Sequence, residues 1–80
     1  MHYVYIVECN DGTLYTGYTT DIKRRVKEHN EGKASKYTRS RLPVRCVYSE
    51  EYSNKSEALK REQEIKKLSR PKKLEIILLS

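Results

Sequence analysis

Eighty residues carry 17 Lys or Arg against 11 Asp or Glu, a net charge of +6, and only 36% of them are hydrophobic. A chain this short buries only roughly 60% of its unfolded surface, which suits one small core, one domain over residues 1–80, and no multi-step enzyme. The longest apolar run, Ile76-Ile77-Leu78-Leu79, falls far short of the roughly 20 residues that span a bilayer, and Met1-His2-Tyr3 lacks a basic leader. The expectation is a cytoplasmic protein with no membrane partner.

Residues 1–19 carry −2 and residues 46–52 another −2, whereas residues 20–45 carry +6 and residues 53–80 carry +4. The positive field therefore lies in the middle and the last third of the chain. Cys9, Cys46, His2 and His29 show no metal-binding spacing, so a zinc site has no support and both thiols are expected buried and reduced. All seven aromatic residues are tyrosine. Phe would fill a small core without a hydroxyl to satisfy, so some phenols are expected to act chemically.

Val4-Tyr5-Ile6-Val7 and Leu14-Tyr15-Thr16-Gly17 are β-prone runs around Asn10-Asp11-Gly12, a three-residue hairpin loop with Gly in the left-handed position. Pairing Cys9 with Thr13 sets Val7 opposite Tyr15 and Tyr5 opposite Gly17, and so places both tyrosines on one sheet face. Thr20 is the expected N-cap of a helix from Asp21 to His29 that ends at Asn30-Glu31-Gly32, and a basic loop over residues 33–43 follows. Val44 to Tyr52 predicts a third strand. Asn54 caps a helix reaching about Leu68, and Ser69-Arg70-Pro71 opens a last helix whose apolar stripe is Leu74, Ile77 and Leu78.

At about 100° per residue, Arg25 and His29 of the first helix border the core. The same geometry puts Glu62 between Ala58 and Ile65, where a Leu is expected. A carboxylate there needs a cation such as Arg25 or Lys66, a hydrogen-bond network or an open cleft. His29 suits either a packed helix terminus or a proton relay. One cleft holding Tyr5, Tyr15, Arg25, His29 and Glu62 would offer two phenols, a guanidinium for phosphate, a proton relay and a carboxylate for a hard metal. That set suits phosphodiester hydrolysis.

Tyr3-Val4-Tyr5, Tyr15-Thr16-Gly17, Asp21-Ile22-Lys23-Arg24-Arg25-x-x-x-His29 and Arg61-Glu62 together resemble the GIY-YIG nuclease domain across nearly the whole chain. Asp11-Gly12-Thr13-Leu14-Tyr15-Thr16-Gly17, Lys36-Tyr37-Thr38-Arg39 and Glu57-Ala58-Leu59-Lys60-Arg61-Glu62 look like its small stand-alone bacterial branch. The resemblance implies an α+β fold, a three-stranded antiparallel sheet flanked by helices. It also implies that Tyr5 is a general base on water, Tyr15 the second motif tyrosine, Arg25 a phosphate stabiliser and His29 an aid to proton transfer. Glu62 would be the ligand of one divalent metal, Mg²⁺ or Mn²⁺. The sequence departs from the family at Tyr3, where many members have Gly, and no Asn follows Asn54 to match the downstream asparagine of several relatives.

Lys23 and Arg24, with Lys33, Lys36, Tyr37, Arg39 and Arg41, are the candidate nucleic-acid contacts: the cations for phosphates, the Tyr37 ring for an unpaired base. With no appended recognition module, shape-selective binding of branched or single-stranded DNA, or delivery by a partner protein, is expected, and RNA presents the same phosphates. The leading expectation is a metal-dependent DNA endonuclease of repair or recombination. Its rival is a non-catalytic basic binding module or an adaptor for a partner protein.

Overall fold

The computed structural model describes residues 1–80. In chain order it contains β1 (His2–Glu8), β2 (Leu14–Thr19), α1 (Ile22–Asn30), the single turn α2 (Lys36–Arg39), β3 (Arg45–Tyr52), α3 (Lys55–Lys66) and α4 (Arg70–Leu79). The strands form an antiparallel sheet of order β2-β1-β3. The architecture is α+β, a three-stranded antiparallel sheet flanked by helices, as the sequence suggests.

The β1–β2 hairpin closes as its loop chemistry requires. The Cys9 N–H donates to the Thr13 carbonyl at 2.8 Å and Gly12 takes φ 83°, so Val7 pairs with Tyr15 and Tyr5 with Gly17. Strand alternation then divides the central strand between two small cores. Val4 and Ile6 pack with Ala58 and Ile65 of α3, whereas Tyr5 and Val7 pack with Cys9 and Val44 and against Tyr15, Val26 and Leu42. A polar group on the second side of β1 is therefore held by the sheet on one flank and by α1 on the other.

Several local expectations change. The N-cap of α1 is Asp21 rather than Thr20, because its carboxylate accepts the Arg24 N–H at 3.0 Å while Thr19 Oγ1 accepts the Asp21 N–H. The anionic cap also suits the positive end of the helix. The basic loop contains α2, whose Ser35 side chain accepts the Tyr37 N–H at 3.1 Å. Helix α3 stops at Lys66, and β3 begins at Arg45. Cys46 is exposed, since β3 is an edge strand and that position lies outside both cores; Cys9 is buried. In α4 no residue is fully buried: Ile77 rests on the α3-side core but Leu78 is 80% exposed, because the helix touches the rest of the fold along a narrow stripe.

Candidate active site

The Tyr5 ring leaves the middle of β1 and passes across β2 at Gly17. A Cβ on residue 17 would lie 2.6 Å from Tyr5 Cζ and 2.9 Å from Cε1. Gly17 does not have a positive φ, so its requirement is space for the phenol and not backbone freedom.

The phenol hydroxyl lies 2.8 Å from His29 Nε2, His29 Nδ1 lies 2.9 Å from Thr38 Oγ1, and Thr38 Oγ1 donates to the Ser35 carbonyl at 3.3 Å. None of these three side chains is more than 1% exposed. A hydroxyl has one proton; with that of Thr38 on the Ser35 carbonyl, the only direction that contact allows, Oγ1 accepts from His29 Nδ1–H. Nε2 is then an acceptor, and the Tyr5 O–H donates to it. Proton donation thus runs one way, from Tyr5 through His29 and Thr38 to a main-chain carbonyl.

Two local devices hold Thr38 beneath His29. Ser35 caps the single turn that carries Thr38. The Asn30 side chain staples the end of α1 to the chain entering β3, donating to the Val44 carbonyl at 3.1 Å and accepting the Val44 N–H at 2.7 Å.

Burial pushes the Tyr5 phenol up to about 12; the Arg25 guanidinium opposes that rise, while the Tyr15 phenol and the Glu62 carboxylate add to it. Burial, and then the charge of Arg25, hold His29 below its usual 6.5, with Glu28 pulling the other way. At neutral pH both groups are uncharged, the state in which a phenol donates and an imidazole accepts.

The neighbouring Tyr5 phenol keeps Arg25 above its usual value, although the phenol's own hydrogen-bond partner is His29. Arg25 Nη1 reaches Glu28 at 3.3 Å and Nη2 the Ala34 carbonyl at 3.4 Å, and its buried Nε has no partner. Tyr15 sets its ring edge-on to His29, centroids 5.4 Å apart, and stacks on Tyr37 at 5.8 Å.

Glu62 occupies the buried face of α3 beside Ala58 and Ile65, 9% exposed. Of the two cations the sequence offered, Lys66 is its direct partner, at 3.3 Å. Its link to Tyr5 is electrostatic and not a hydrogen bond. The adjacent Arg61 binds Glu50 Oε1 through Nε at 3.0 Å, and Glu50 also accepts from the hydroxyls of Tyr48 and Tyr52. This half-buried cluster ties α3 to β3 next to Glu62, and Glu50 pushes Arg61 above its usual value.

The structure thus gathers Tyr5, Tyr15, Arg25 and His29 tightly and sets Glu62 on α3, within electrostatic reach of Tyr5. Among the candidate nucleic-acid contacts, Lys23, Arg24, Lys36 and Arg39 are exposed. Lys33 sits 3.8 Å from Glu31, and Arg41 is engaged within the protein, with Asp11 at 3.1 Å and over the Tyr37 ring at 4.2 Å. Sequence reasoning missed Thr38, Ser35, Asn30 and Glu50. The available signal was Ser35, a good N-cap three residues before Thr38.

The family model described as the GIY-YIG catalytic domain matches residues 1–75. The chain belongs to the GIY-YIG family. Within it, the protein is similar to the UPF0213 protein of Staphylococcus saprophyticus, 59% identical over 76 residues that cover 95% of this chain and 93% of that one. The UPF0213 protein of Halobacterium salinarum is also 59% identical, over 91% of this chain and 95% of its own. The solution structure of the UPF0213 protein of Bacillus halodurans has 53% identity and a TM-score of 0.65, covering 99% of this chain and 84% of that one. A solution structure from E. faecalis has 43% identity and a TM-score of 0.63, covering 99% and 88%. In this GIY-YIG chain no helix is long and apolar enough to cross a membrane.

Proposed function

We propose that the protein is a nuclease that hydrolyses DNA phosphodiester bonds, with Tyr5, Tyr15, Arg25, His29 and Glu62 as its site. The observation that carries this reading is the buried Tyr5–His29 hydrogen bond beside an Arg25 whose Nε lacks a partner. Folding alone gives no reason to bury that set, since each polar atom costs desolvation that a Phe–Leu pair would not.

A phenol held near 12 is a poor base by itself at neutral pH. The relay answers this difficulty. As water attacks phosphorus, its proton passes to the Tyr5 oxygen while the phenol's own proton passes to His29 Nε2, so no free phenolate forms. The imidazolium is then held by Thr38, and Arg25 offers its Nε and guanidinium charge to the phosphate oxygens. Tyr15 keeps the His29 ring in its plane by edge packing.

Glu62 would hold Mg²⁺ or Mn²⁺, a hard carboxylate oxygen suiting an ion that keeps most of its hydration. When bound, such an ion would polarise the phosphate and neutralise the departing oxyanion. Lys66, at 3.3 Å, is the partner such an ion would have to share the carboxylate with.

The Lys66–Glu62 pair is also what a non-catalytic binding module would use to neutralise a buried carboxylate, so the two readings are separated by activity. Purified protein is incubated with supercoiled, single-stranded and branched DNA in Mg²⁺ or Mn²⁺, beside EDTA controls and folded Glu62→Ala and Arg25→Ala variants. Metal-dependent cutting that both substitutions lower by at least about a hundredfold is expected. Salt-sensitive binding without cutting, unchanged in Glu62→Ala, would replace the nuclease by the binding module.

A further inference from the structure

Tyr37 is 40% exposed and stacks on Tyr15, which in turn packs against His29. Beyond Tyr37 a small open cleft of about 170 Å³ is lined by Thr13, Leu14, Tyr37, Arg70 and Lys73. It brings together the β2 edge, α2 and the first turns of α4. Its two cations have no acidic partner: Arg70 donates to the Gly12 carbonyl at 2.9 Å, and no carboxylate lies within ion-pair reach of Lys73. Asp11, Glu62 and Glu75 are already paired, with Arg41, Lys66 and Lys72.

We propose that this cleft is a strand-binding subsite, taking the sugar-phosphate backbone of unpaired DNA that flanks the reacting phosphodiester, with phosphate on Arg70 and Lys73 and a base against Tyr37. The inference rests on the nuclease reading for its direction, since the row Tyr5, His29, Tyr15, Tyr37 connects the relay to the cleft. A cleft of this volume admits part of a nucleotide, so the base lies at the rim, on the exposed part of the Tyr37 ring. Tyr15 stacked on Tyr37 and Arg41 over the ring fix it and leave its exposed edge for the base, a contact that tolerates any base. Burial and the charge of Lys66 both press the Lys73 ammonium toward neutrality, a strain that a bound phosphate relieves.

The test is fluorescence anisotropy of a labelled single-stranded oligonucleotide in EDTA, so that nothing is cut, across a range of salt concentrations. Lys73→Gln is compared with wild type and with Lys60→Gln, an exposed α3 site. Lys73→Gln is expected to weaken binding about fivefold at low salt and to flatten the slope of log K against log salt by about 0.7, the loss of one single-strand phosphate contact. Lys60→Gln should leave the slope unchanged. In parallel, NMR resonances of the Tyr37 ring and the Lys73 side chain should move further with the oligonucleotide than with inorganic phosphate at equal ionic strength. An unchanged slope in Lys73→Gln, a wild type that does not bind, or equal movement with inorganic phosphate would each overturn the proposal. Because the assay excludes metal, a failed nuclease reading would appear separately, as uncut DNA with the Lys73 effect intact.

Discussion

Replacing Thr38 by Val keeps the side-chain shape and removes one hydroxyl from beneath His29. In the native protein that oxygen accepts from Nδ1–H at 2.9 Å, in a site with no exposure. Without it the imidazole either keeps its proton on Nδ1 with no acceptor or moves it to Nε2, where it faces a phenol that itself donates. Either outcome leaves a buried polar group unsatisfied, at a cost of about 1–3 kcal/mol. For a domain of 60–100 residues each kcal/mol lowers Tm by about 4–8 °C, so about 2 kcal/mol predicts a fall of about 8–16 °C. Thr38→Ser retains the oxygen and should lose much less. The decisive assay is the nitrogen-15 spectrum of the His29 ring. In wild type the protonated nitrogen should be Nδ1, the less common tautomer of free histidine, and in Thr38→Val it should shift toward Nε2. Wild-type nitrogen shifts in Thr38→Val, with Tm unchanged to about 1 °C, would refute the one-way relay.

Gly17→Ala drives a methyl into Tyr5 Cζ and Cε1, and the pairing of Thr16, Gly17 and Tyr18 with β1 opposes relief by backbone movement, so it should cost about 1–3 kcal/mol in chemical denaturation. It should also displace the phenol from His29, which a lost downfield hydroxyl proton resonance of Tyr5 would report. The pH dependence follows from His29, whose folded-state pKa is depressed. The unfolded chain takes up the proton first as pH falls, so stability is full above about 6.5 and declines below it until the folded-state value is passed. A plot of Tm against pH should bend downward below about 6.5, well before the carboxylates Asp11 and Glu50 begin to titrate. An NMR midpoint for His29 at or above 6.5 would contradict this.

Much of the sheet was legible because its signals are local. Asn10-Asp11-Gly12 fixes the hairpin, and strand period then decides that Tyr5 faces Gly17 and shares a side with Tyr15. Helical period likewise placed His29 and Glu62 on inward faces. What stayed hidden depends on chain closure. That Thr38 returns beneath His29 follows from Asn30 bonding to Val44, a contact across 14 residues that no periodicity encodes. The choice of Lys66 for Glu62, by contrast, is local, an i,i+4 pair on one helix, while Arg25 is taken up by Glu28 and the Ala34 carbonyl. Glu50 is a charge within a strand, and Arg61, Tyr48 and Tyr52, two of them its strand neighbours and one from α3, satisfy it.

The tyrosine bias gains its physical meaning from the same residues. Tyr48 and Tyr52 spend their hydroxyls on Glu50, and Tyr3 donates to Glu51 at 3.2 Å, so these phenols hold structure by binding carboxylates. Tyr5 is different: it is nearly fully buried in a cluster with Val7, Cys9 and Val44, and its hydroxyl meets a neutral histidine. A core with only four buried members on each side of the sheet can least tolerate unneeded polar atoms. Tyr5→Phe alone would strand His29 Nε2, but replacing phenol and imidazole together by apolar groups would remove both desolvation costs. Such a double replacement is the kind that can be neutral or stabilising, so stability alone does not call for this pair. A buried Tyr–His–Thr chain beside Arg25 in so small a core is the physical reason to read it as working chemistry.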